Sequence, residues 1–84
     1  MSDPRKALNT AILDVVKNQM RALNPPATKE TFDRLVAEGF AQDEARRLIG
    51  CVVASEIFDV LKHAQPYDEE RYVMALRRLP ELPE

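Results

Sequence analysis

"AEGFAQDEARRLIGCVVASEIFDVLKHAQP", residues 37–66, decides the fold of this chain. Gly39 interrupts a helical pattern, and glycine is the residue that takes the left-handed helix-ending conformation at least cost. Phe40 follows as the apolar residue that folds back on a Schellman-type end. From about Gln42 to His63 the periodicity is helical throughout. At 100° per residue, Glu56 lies within about 40° of Ile49, Val52 and Val60, so all four face one way. Asp43 and Glu44 fall in the first turn and Lys62 and His63 in the last, the arrangement the helix dipole favours. Pro66 ends the segment.

Helix grammar also accounts for what lies on either side. "SDP" at 2–4 opens a first helix, with Ser2 or Asp3 as cap and Pro4 in the first turn. Leu8, Ile12, Val15, Val16 and Leu23 recur at helical spacing until "NPP" at 24–26 stops it. Thr28 is the cap candidate for a short second helix carrying Phe32, Leu35 and Val36. In "PYDEERYVMALRRLP", residues 66–80, Asp68 caps a fourth helix striped by Tyr72, Val73, Leu76 and Leu79 and closed by Arg77 and Arg78. No segment alternates as a strand does. The expected architecture is all-α: a compact antiparallel bundle of about four helices, two long and two short. It forms a single domain over residues 1–84, with 80–84 a frayed tail.

Composition narrows the function. Eighty-four residues suffice for one core, and 45% hydrophobic with 31% charged residues is globular composition. A net charge of -2 and a pI near 5.4 give no pull toward nucleic acid or anionic membranes. No run reaches the roughly 20 apolar residues that span a bilayer, and the charged N-terminus is no secretory signal. A soluble cytoplasmic protein is expected. Cys51, the lone cysteine, sits in an apolar stretch and reads as a small buried hydrophobe.

Glu56 and Gln19 are the two polar residues on the apolar stripes of the long helices. A buried carboxylate without a partner costs several kcal/mol or takes up a proton. The expectation is a buried polar pair, Glu56 with Gln19, with no catalytic role. Metal chemistry is not expected: His63 lies two turns from Glu56, about 10.5 Å along the axis, too far to share one ion directly. Neither Ser55 nor Cys51 has a base beside it, and two glycines make no phosphate loop. No cofactor is expected, and no enzyme. A helix, a glycine turn and a helix is also the outline of a DNA-binding helix-turn-helix. Asp43 and Glu44 would stand against the phosphates, and the second helix is too long, so nucleic acid is excluded.

The turn "AEGFAQDEA" resembles the loop between the first two helices of ubiquitin-associated domains, with Glu38 where they carry methionine. A wider resemblance runs over roughly residues 7–80, through "KNQ" (17–19), "NPP" (24–26), "RLVAEGFAQDEA" (34–45), "IGCVVASEIFDVLK" (49–62) and "PYDEERYVMALRRLP" (66–80). It is similar to a family of short bacterial all-helical proteins of unknown function. In many members of that family, histidines stand at the positions of Asn9, Leu13 and Arg47. The resemblance implies the helical fold and, for those members, a metal or polar site whose histidines this chain lacks. Two functions follow as expectations. The first is a non-enzymatic helical protein-interaction or oligomerisation module, partnered by a second copy or by another protein. Its interface would lie on Leu13, Val16 and Met20 of the first helix and on Gly50 and Ala54 of the third. The second is a degenerate metal-binding or enzyme-like domain that has lost its histidine ligands.

Overall fold

Two prolines end one helix and start the next. Pro25 occupies the cap position of the second helix and Pro26 its first turn, where a missing N–H costs nothing and a fixed φ is already helical. The computed structural model describes residues 4–83, with the side chains of residues 6–83. It contains α1 (Pro4–Ala22), α2 (Pro26–Ala37), α3 (Gln42–His63) and α4 (Glu69–Arg78). Short connections join consecutive helices; the end of α1 meets the starts of α2 and α4 at Gln19, Thr28 and Tyr72, and Arg34 of α2 reaches the far end of α4 at the Leu79 carbonyl. The all-α bundle is the observed fold, and α3 has the bounds its periodicity predicts. Capping of α1 by Ser2 or Asp3, and the last tail residue Glu84, lie outside the described residues.

Left-handed residues end the first three helices. At α2 the residue is Gly39, φ 106°, with the Gly39 N–H donating to the Val36 carbonyl at 3.0 Å and the Phe40 N–H to the Leu35 carbonyl at 3.1 Å. A Cβ there would meet no atom within 4 Å, so backbone conformation alone selects glycine. Leu23, φ 52°, turns α1, and the Asn24 N–H reaches the Gln19 carbonyl at 3.1 Å. Ala64, φ 50°, follows α3. Asp68 caps α4 as expected, accepting the Arg71 N–H at 3.3 Å. Thr28 does not cap α2. The helix begins two residues earlier, at Pro26, and Thr28 lies fully buried inside the first turn.

The core draws on every helix: Ile12 and Val16 from α1, Phe32 and Leu35 from α2, Ala45, Ile49, Val52 and Val53 from α3, Tyr72 and Leu76 from α4, and Leu79 just beyond it. Gly50 lets α1 come close, because a Cβ there would meet Ile12 Cγ2 at 3.3 Å. Two expectations are corrected. The inward stripe of α1 is narrower than its periodicity suggests, with Leu8 59% and Leu23 56% exposed. Cys51 is exposed, because Ile49, Val52, Val53 and Glu56 take the core face and turn Cys51 outward.

Candidate functional site

A helix that buries one face shows its other residues to solvent, and those are normally polar. The C-terminal half of α3 departs from this. Ile57, Phe58 and Leu61 are 45%, 64% and 77% exposed. Gly50, Ala54, Ile57 and Leu61 follow at spacings of four, three and four, one continuous helical stripe. Gly50 is buried under Ile12 and Ala54 is half-buried. From Ile57 onward the stripe is bare. Beside it, Ile57, Val60, Leu61 and half-exposed Tyr67 surround an apolar hollow of about 260 Å³. Phe58 projects about 60° around the helix from Leu61, on the side away from the hollow, with the Lys62 ammonium 6.0 Å from its ring centre. Leu61 therefore stands between a bulky aromatic knob and an apolar recess.

Polar ties hold α4 in the position that exposes this patch. Glu56, 8% exposed, accepts two hydrogen bonds from Arg71: Nη2 to Oε1 at 2.6 Å and Nε to Oε2 at 3.1 Å. The bond to Glu56 raises the Arg71 pKa above its usual value. Gln19 is not the partner of Glu56, which corrects the expected pair. The Gln19 Oε1 instead accepts the Tyr72 hydroxyl at 2.7 Å and the Thr28 hydroxyl at 2.9 Å, joining α1, α2 and α4. Tyr72 is buried, and burial raises its phenol pKa, partly offset by hydrogen bonding with Thr28 and Gln19. Arg34 of α2 ties the other end of α4, with Nη2 donating to the Leu79 carbonyl at 2.8 Å and Nη1 pairing with Glu38 at 2.8 Å.

The Arg71 partnership carries a sequence signal. Glu56 stands eight residues before Ala64 and Arg71 eight residues after His63, mirror positions across the α3–α4 hairpin. Asp59 and Asp68 line the same α3–α4 cleft as this pair. Arg34 reaching carbonyls 42 to 45 residues away has no comparable signal, because nothing local links the two segments.

A second concavity, a groove of about 560 Å³, runs between α1 and α3. Lys6, Asn9, Ile12 and Leu13 line it from α1, and Arg47, Gly50, Cys51 and Ala54 from α3. Asn9, Leu13 and Arg47, where the sequence resemblance leads one to expect histidines, thus share one groove. Among the described residues no three His, Cys, Asp or Glu side chains are grouped to hold a metal ion. None of the described helices is long and apolar enough to cross a membrane.

The expected interface is partly turned inward. Val16 is in the core and Gly50 is buried against α1, so neither offers surface to a partner. Met20 packs half-buried against the core, while Leu13 and Ala54 line the groove half-exposed. The bare apolar surface lies one to two turns further along α3. Comparison with protein-family models, curated proteins and solved structures returned no match.

Proposed function

We propose that this chain is a non-enzymatic helical interaction module that pairs with a second copy of itself through the bare end of α3. The observation carrying this reading is exposed Leu61 with the Phe58 knob on one side and the hollow of Ile57, Val60 and Tyr67 on the other. A symmetric dimer needs a single self-complementary patch, and two-fold pairing about Leu61 sets each Phe58 against the other copy's recess. The rim suits pairing with itself, since Lys62 lies on one side and Asp68, Glu69 and Glu70 follow Tyr67 on the other. The setting we assign is the bacterial cytoplasm, where a lone exposed cysteine stays reduced. Leu61→Cys in a Cys51→Ser background tests the geometry. Mild oxidation should give a covalent dimer far faster than with Lys17→Cys, on the exposed face of α1. Equal rates would contradict the pairing.

A second reading, the scaffold of a metal-binding domain that has lost its histidines, is supported by the shared groove of Asn9, Leu13 and Arg47. Combining Asn9→His, Leu13→His and Arg47→His should then create a tight zinc site at neutral pH, measured by competition with a chelating dye. No binding above that of the parent chain removes this reading.

A further inference from the structure

The α1–α3 groove is arranged lengthwise by polarity. Lys6 and Asn9 precede Ile12 and Leu13 on α1, and Arg47 precedes Cys51 and Ala54 on α3. Gly50 meets Ile12 midway, and the later parts of both helices reach neighbouring residues of α4, Gln19 through Tyr72 and Glu56 through Arg71. Both cations therefore fall toward one end of the groove and the apolar side chains toward the other. The ion pairs among the described residues are Lys29–Asp33, Arg34–Glu38, Arg46–Asp43 and Arg71–Glu56, and among those residues no carboxylate pairs with Lys6 or Arg47. A volume of about 560 Å³ is in the range of small-molecule sites, which are mostly apolar with a few placed polar groups. From this we infer that the groove binds a small anionic amphiphile. Its carboxylate or similar headgroup lies between Lys6 and Arg47, within reach of the Asn9 amide, and its apolar tail lies along Leu13 and Ala54. The guanidinium and ammonium favour an anion over a neutral or cationic head, and the apolar end gives the tail its driving force. This site is separate from the α3 end and does not depend on self-association.

Cys51 is exposed on the groove wall and reports occupancy directly. N-ethylmaleimide labels the thiol, and the labelling rate is followed by mass spectrometry in the presence of decanoate below its micelle-forming concentration. Decanoate should slow labelling severalfold and saturably, while decylammonium, with the same tail and a positive head, should not. Arg47→Glu and Lys6→Glu, both at exposed positions, should each abolish protection with the helical circular dichroism unchanged. Phosphatidylglycerol vesicles form a further arm that separates a free amphiphile from a lipid surface. Equal protection by decanoate and decylammonium would overturn the proposal. So would protection that survives both charge reversals, protection by vesicles alone, or none by decanoate.

Discussion

At the scale of single residues, the Gln19 side chain joins three helices through one atom. Its amide oxygen takes two hydroxyl hydrogens, from Tyr72 and Thr28, at the meeting of three helices. Tyr72→Phe removes one donor and leaves the other, so it should cost about 1 kcal/mol in urea unfolding. Gln19→Leu removes the acceptor that both buried hydroxyls share and should cost more, about 1–3 kcal/mol. Tyr72 also sets an alkaline limit. Burial raises its folded pKa above the ordinary value of 10.0, so the unfolded chain loses the phenolic proton first. Its contribution is therefore complete below about pH 10 and declines as pH rises toward the folded value. Unfolding midpoints measured from pH 8 to 11 should fall steeply at the alkaline end, and Tyr72→Phe should flatten that fall. Tyr67 is also shifted upward, by burial first and then by Glu69, but it is half-exposed. Tyr67→Phe should thus change the slope less, and an unchanged slope in Tyr72→Phe would contradict the assignment.

Individual helices show what a sequence makes legible and what it hides. The bounds of α3, the Gly39 turn and the Asp68 cap follow from local chemistry, and local chemistry is what a linear sequence records. Thr28 has the chemistry of a cap but lies inside α2, because Pro25 and Pro26 already start the helix. The outward turn of Cys51 is hidden in the sequence, because four consecutive apolar residues, Cys51 to Ala54, have no periodicity from which to pick the inward ones. Glu56 is buried, as its place on the stripe implies, but its partner comes from the flank of α4 and not from α1. That tie gives a prediction for α4 as an element. Glu56→Ala should speed amide exchange at Tyr72, Val73 and Leu76 well before it affects the middle of α1, because α4 is the shortest of the four helices and the Glu56–Arg71 pair is its side-chain hydrogen-bonded tie to α3. Glu56→Gln keeps an acceptor for Arg71 and should show a smaller effect. Uniform acceleration across all four helices would mean that Glu56 supports the whole core and not the docking of α4.

For the whole molecule, the sequence indicates the bundle and its lack of strands, while the exposed patch emerges only from packing. Ile57 and Leu61 continue a stripe that begins at buried Gly50, and composition cannot say where the cover stops. Burying such a patch in a second copy removes apolar surface from water without reshaping either bundle. The central claim is self-association through α3, and sedimentation equilibrium on the full chain at high micromolar concentration tests it most directly. Wild type should sediment as a dimer. Leu61→Glu, at a position already 77% exposed, should sediment as a folded monomer with unchanged helical content. A wild-type monomer at that concentration, or a dimer that Leu61→Glu leaves intact, would contradict the account.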